Sequence, residues 1–219
     1  MPARVVFLGP PGTGKGTQAQ RAAKRFGLVA LSSGDTLRRQ IRARTPIGVK
    51  AEEFVSSGAL VPDEVITGVM LSAIDGAGGS GFILDGFPRT VPQAEALGRG
   101  LTERNSSIGV VLDFQMADET ISRRIASRRV CSVCDSSYNV EFLPPRKPGV
   151  CDRCGGRLEQ RVDDREDVVL TRLVTYRRQT APLVEYYSHR GLLRAVDAAM
   201  AADDVESRVA AILESLDRR

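Results

Sequence analysis

The sequence predicts an α/β protein, a parallel sheet covered by helices on both faces and interrupted by one small module of a different kind. Three observations lead there. Short apolar runs alternate with stretches of helical periodicity, as expected of strands buried on both faces and joined by crossover helices. The first apolar run ends in a glycine-rich loop that opens a helix. Between Cys131 and about Gln160 the periodicity stops, and Cys, Gly and Pro accumulate.

Taken in order, residues 4–8 are a short apolar run and the first strand. A helix follows over 15–26, with Gly27 as its stop. Further strands are expected at 28–31, 81–85, 108–114 and 192–196. The helices between them are expected at 35–44, 47–57, 63–75, 92–104, 117–129, 165–189 and 203–216. The segment 32–61 is a helical excursion from the sheet, and no repeat or low-complexity tract is present.

The 219 residues are 42% hydrophobic and 26% charged, ordinary for a soluble globular protein. No apolar run approaches the roughly 20 residues that span a bilayer. The stretch after Met1 is too short for a signal peptide, so a cytoplasmic protein without membrane contact is expected. The net charge of +4 suits an anionic ligand, nucleotide or nucleic acid, but solvated surface charge explains it equally well.

Gly9-Pro10-Pro11-Gly12-Thr13-Gly14-Lys15-Gly16-Thr17 lies between a strand and a helix, where a phosphate-binding P-loop belongs. Its glycines let backbone N–H groups turn toward phosphate oxygens, and the helix N-terminus adds partial positive charge. Gly12, Thr13, Gly14, Lys15, Gly16 and Thr17 are the candidates to hold a donor triphosphate, with Lys15 reaching its terminal phosphates. Gly16 stands where Ser or Thr usually follows the lysine.

Gly-Lys-Gly-Thr after this turn resembles the nucleoside monophosphate kinases, adenylate kinases above all. The resemblance runs from Val5 to the last helix. It implies a P-loop NTPase-type sheet of five parallel strands with helices on both faces, a helical monophosphate-binding insert and a lid. It also implies reversible, magnesium-dependent phosphoryl transfer from ATP to AMP, giving two ADP. The core would comprise 1–31, 62–126 and 165–219, the monophosphate-binding insert 32–61 and the lid 127–164.

Site residues follow motif by motif. Ser33-Gly34-Asp35-Thr36-Leu37-Arg38 is similar to the family's acceptor segment, which implies that Ser33 meets the acceptor base and Arg38 its phosphate. Alone, Ser33 reads equally as a helix cap. Ala59-Leu60-Val61 would close the acceptor pocket. In Asp85-Gly86-Phe87-Pro88-Arg89, Asp85 ends an apolar run, where a carboxylate that orients Mg2+ through water belongs. Gly86, Phe87, Pro88 and Arg89 would line the AMP site, with Gln93 bonding the adenine. Arg124 and Arg128 are four apart and are expected on one helix face. With Arg161 and Arg172 they match the family's arginines around the lid. Arg124 and Arg128 would contact ATP, and Arg161 and Arg172 AMP. Ser137, Tyr138 and Met200 would lie near ATP, and Ala198 takes the place of a usual glycine. The catalytic set is Lys15, Asp85, Arg89, Arg124, Arg128, Arg161 and Arg172.

Cys131-x2-Cys134 and Cys151-x2-Cys154, 16 residues apart, have the spacing of a structural Zn2+ site. Disulfides are the alternative, disfavoured in a reducing compartment. The surrounding Pro144-Pro145 and Cys-Asp-Arg-Cys-Gly-Gly resemble the lid of zinc-bearing bacterial adenylate kinases.

The expected partners are ATP, AMP and ADP, with no nucleic acid, and the family resemblance implies a monomer. Two other readings remain: a kinase with another donor or acceptor, such as a GTP:AMP phosphotransferase, and a basic zinc-ribbon protein binding nucleic acid.

Overall fold

The computed structural model describes residues 3–216. Along the chain come β1 (Arg4–Leu8), α1 (Lys15–Phe26), β2 (Val29–Ser32), α2 (Ser33–Arg42), α3 (Pro46–Ser57), α4 (Asp63–Gly76), β3 (Phe82–Asp85), α5 (Val91–Thr102) and β4 (Val110–Gln115). After them come α6 (Asp118–Ala126), β5 (Arg128–Cys131), β6 (Ser137–Asn139), β7 (Leu158–Glu159), α7 (Glu166–Thr175), α8 (Pro182–Ser188), β8 (Leu193–Asp197) and α9 (Ala202–Leu216).

Five strands form one parallel sheet in the order β2-β3-β1-β4-β8. In register, Val5 lies between Ile83 and Val110, and Phe7 between Asp85 and Leu112. Alternate residues of a strand face opposite sides, so two cores result. Val5, Phe7, Ile83 and Leu112 pack with the alanines of α1 and with Val209 and Leu213 of α9. Val6, Leu8, Leu84 and Val111 pack with Met70 of α4, Leu97 of α5 and Leu183 of α8. A strand with both faces covered must be apolar throughout, which is why these strands read as runs rather than alternations.

Helix starts are written in the sequence. Ser32, Thr45 and Thr90 each accept a hydrogen bond from the backbone N–H three residues on, and Pro46 and Pro92 occupy first-turn positions. A second, three-stranded antiparallel sheet, β6-β5-β7, lies in the cysteine-bearing segment.

Three expectations are corrected. The helix expected at 117–129 ends at Ala126, where the Ser127 hydroxyl donates back to the Arg123 carbonyl at 2.7 Å, and Arg128 opens strand β5. Arg124 and Arg128 therefore do not share a helix face. The helix expected at 165–189 is split: α7 passes into a π-turn, Tyr176–Thr180, before α8. Pro182 has no N–H to donate, and the Ala181 N–H bonds the Tyr176 carbonyl five residues back at 2.8 Å, widening the turn. Lastly, α2 starts two residues earlier than expected because Ser32 is its cap. Ser33 is thereby freed for another role.

Candidate functional site

The loops after β1, β2, β3 and β8 all leave the same edge of the sheet, the carboxyl edge where open α/β sheets carry their sites. They open onto a cavity of about 1040 Å³ walled on its other side by α2, the cysteine-bearing segment and α7.

The glycine-rich loop forms its floor. Gly9 has φ +136°, and a Cβ there would sit 2.5 Å from the Phe114 carbonyl oxygen. Gly12, with φ +85°, leaves no room for a Cβ against Ile125. These two positions hold the loop tight, and Gly14 caps α1 with φ +87°. Gly12, Thr13, Gly14, Lys15, Gly16 and Thr17 all line the cavity. The Lys15 ammonium donates to the carbonyls of Gly9 at 2.8 Å and Pro10 at 2.7 Å. Burial lowers its pKa to about 8; Asp85 opposes the shift, and Arg89, Arg172 and Arg128 add to it. Burial pushes the carboxyl of Asp85 up, and Lys15 counters that. A Cβ at position 16 would sit 3.2 Å from Asp85 Oδ2, so Gly16 keeps the space beside this carboxylate open.

On the far side, the buried Ser33 hydroxyl donates to the Gly86 carbonyl at 2.6 Å. Arg89 Nε donates to the same oxygen at 2.7 Å. Gln93 accepts from the Arg89 N–H at 2.7 Å and donates to Asp63 at 2.7 Å, while Thr90 donates to the other Asp63 oxygen at 2.8 Å. Ala59, Leu60, Val61, Gly86 and Pro88 are on the wall. Phe87 is not: its ring is fully buried in the core with Leu97 and Leu183, so its side chain faces the core and not the cavity.

Between the two sides lies a charge network. Arg38 pairs with Asp35 at 2.5 Å and with Asp163 at 3.3 Å, and Arg161 reaches Asp35 at 3.4 Å. Arg172 contacts Asp163 at 3.3 Å and Asp164 at 3.6 Å, and Arg128 Nε donates to Asp164 at 2.7 Å. Burial lowers the pKa of both Arg161 and Arg172 to about 10, with neighbouring guanidinium groups adding to the effect. Within this network six cations (Lys15, Arg38, Arg89, Arg128, Arg161, Arg172) meet four carboxylates (Asp35, Asp85, Asp163, Asp164), an excess of two positive charges, and further arginines, Arg124 among them, line the cavity. The Nε groups of Arg161 and Arg124 are buried without a partner. A cavity with surplus cations and unspent donors is built for a polyanion.

Arg124 donates to the Ala198 carbonyl at 2.9 Å and lies over the Phe142 ring at 5.2 Å. Ser137, Tyr138 and Met200 line the same end of the cavity.

The cysteines gather apart from this. Their sulfurs all lie within 4.8 Å of one another, with pairs at 3.3, 3.4 and 3.6 Å, and all four are free. Tetrahedral zinc with Zn–S near 2.3 Å sets sulfurs about 3.8 Å apart, so the donor set fits. The Tyr138 hydroxyl, hydrogen-bonded to Cys151, helps lower that thiol to about 6.

Asp63, Asp163 and Asp164 are site residues that sequence reasoning did not assign. Asp163-Asp164, two residues after Arg161, was the available signal. Asp63 ended the segment that resembles the family's closure of the acceptor pocket, and by itself marked only a helix start. Among the described residues no helix is long and apolar enough to cross a membrane.

Comparison with known proteins gives one answer. The family model described as adenylate kinase matches residues 7–192. An adenylate kinase from Citrifermentans bemidjiense is 46% identical over 212 residues, 96% of this chain and 99% of the relative. One from Geobacter sulfurreducens is 47% identical over 214 residues, 96% and 98% of the two chains. One from Methanothrix thermoacetophila is 43% identical over 212 residues, 95% and 97%.

Proposed function

The chain belongs to the adenylate kinase family, and from that premise we propose how its residues divide the work of moving a phosphoryl group from ATP to AMP. The chain is a phosphotransferase making two ADP from ATP and AMP. The observation that carries the residue assignment is the convergence of Lys15 with Arg38, Arg89, Arg124, Arg128, Arg161 and Arg172 on one cavity between the glycine loop and the carboxyl end of β3.

Gly12 to Thr17 cradle the donor phosphates. Arg124 and Arg128 flank them, with Ser137, Tyr138 and Met200 around the donor base. Ser33, Gly86, Pro88 and Gln93 receive the acceptor, and Ala59, Leu60 and Val61 close over it. Arg38 and Arg89 grip its phosphate. Arg161 and Arg172, between the halves, stabilise the charge on the transferring group. Phe87 supports this wall from the core.

The acceptor oxygen of a phosphate monoester is already ionised near neutral pH, so no general base is required. In keeping with this, His189, the one histidine, has a side chain 74% exposed and lies off the cavity wall. Catalysis then rests on alignment, charge neutralisation and exclusion of water. Asp85, with the space Gly16 leaves, would hold hydrated Mg2+, which supplies charge neutralisation on the donor phosphates. The four cysteines would hold Zn2+ as a closed structural site that stiffens the lid.

The division into a core (1–31, 62–126, 165–219), a monophosphate-binding insert (32–61) and a lid (127–164) follows this assignment; residues 1–2 and 217–219 lie outside the described residues. Free thiols suit the cytoplasm, and the protein is taken to act as a monomer, without nucleic acid.

Two variants test the division. Arg38→Gln should raise the KM for AMP at least about tenfold with little change for ATP, and Arg124→Gln should do the reverse. The opposite pattern would exchange the two sites.

A further inference from the structure

Helix α2 carries Arg38 and Arg42 four residues apart, so they leave the same face one turn from each other. Arg38 turns into the charge network. Arg42, the last residue of the helix, reaches the cysteine-bearing segment: Nη1 donates to Asp135 Oδ1 at 3.1 Å and Nη2 to Oδ2 at 2.9 Å. This is the parallel, two-bond geometry that makes arginine–carboxylate pairs directional.

Asp135 is held ready for it. It follows Cys134 directly and has φ +58°, a conformation that Asp tolerates better than most residues. Its N–H donates to the Cys131 carbonyl at 3.1 Å, and the Cys131 N–H donates to the Ser136 carbonyl at 2.9 Å. The knuckle of the first cysteine pair thus points a carboxylate at the end of α2.

Three ion pairs join α2 to this segment: Asp35–Arg161, Arg38–Asp163 and Arg42–Asp135. The first two use Arg161 and Arg38, which nucleotide phosphates claim in the assignment above. Those pairs have to loosen when substrate arrives. The third uses groups for which a nucleotide has no use. Arg42 is off the cavity wall, and Asp135, which is on it, is a carboxylate that repels phosphate.

We propose that Arg42 and Asp135 are a positioning pair, a latch that holds the acceptor helix against the closed lid through turnover. It keeps Arg38 aimed at the acceptor phosphate while the carboxylate partners of Arg38 give way. This rests on the assignment of α2 to the acceptor site.

The test is a double-mutant cycle with Arg42→Gln and Asp135→Asn, Asn being tolerated at positive φ. The readout is the Kd, by calorimetry, of a bisubstrate ligand made of two adenosines joined by five phosphates. Each single variant should weaken binding about two- to fivefold, the range of exposed pairs. The double variant should be no weaker than either single, and high salt should shrink the effect. The KM for AMP should rise by a similar factor without a fall in kcat. Arg42→Lys, remote from the cysteines, should give an intermediate loss and covers the case in which Asp135→Asn disturbs the knuckle. Additive losses, no loss, or a fall in kcat at unchanged KM would overturn the latch. A parent protein that fails to bind the bisubstrate ligand would contradict the site assignment instead.

Discussion

The carboxylate of Asp164, whose side chain has no exposed surface, accepts a hydrogen bond from Arg128 Nε at 2.7 Å. The pair ties the first strand of the cysteine-bearing sheet to the turn that precedes α7. A buried carboxylate of this kind is costly unless paired, and removing it leaves Arg128 and Arg172 short of countercharge.

Asp164→Asn should therefore lower stability by about 3 kcal/mol, measured as a shift in the urea midpoint at unchanged slope. A shift below about 0.5 kcal/mol would place Asp164 with ordinary surface residues.

Lys15 gives a pH-dependent prediction. Burial holds it at about 8, against 10.5 for an ordinary lysine. Between those values the folded protein holds fewer protons here than the unfolded chain, so this group's contribution to stability rises with pH across that window. Donor phosphates favour the charged amine. Binding of ATP at about pH 8.5 should then take up protons, seen as a binding enthalpy that depends on the ionisation enthalpy of the buffer. Lys15→Met should abolish the uptake and cut turnover by about 10²-fold or more. Buffer-independent enthalpy in the parent protein would contradict the role of Lys15.

The legible parts of the molecule were those set by local spacing. The glycine loop, the cysteine pairs and the apolar strands each follow from residues within one turn or one strand of each other. What sequence concealed was pairing across the chain. Asp163 and Asp164 read as ordinary acids because their arginine partners, Arg38, Arg128 and Arg172, come from other elements. Arg128 kept helical spacing from Arg124 although the helix had ended, because periodicity does not record where Ser127 turns the chain. Ser33 looked like a cap because capping and base contact need the same hydroxyl, and only the structure gives the cap to Ser32.

The cysteine cluster makes a claim that removal of metal can test. Cys151 is buried with Cys131 and Leu158 in the small apolar cluster of the cysteine-bearing segment. Cys151→Ser should lower zinc content and melting temperature, while activity well below that temperature falls less than about tenfold, as expected of a metal whose role is structural. Unchanged zinc content and melting temperature in the variant would contradict the four-cysteine site.

The most direct measurement follows one phosphoryl group. ATP labelled on its terminal phosphate is mixed with AMP, magnesium and the purified protein. Two ADP should form for each ATP consumed, with the label on the β-phosphate of the ADP formed from AMP and little in free phosphate. Label released chiefly as inorganic phosphate, or no transfer to AMP, would contradict it.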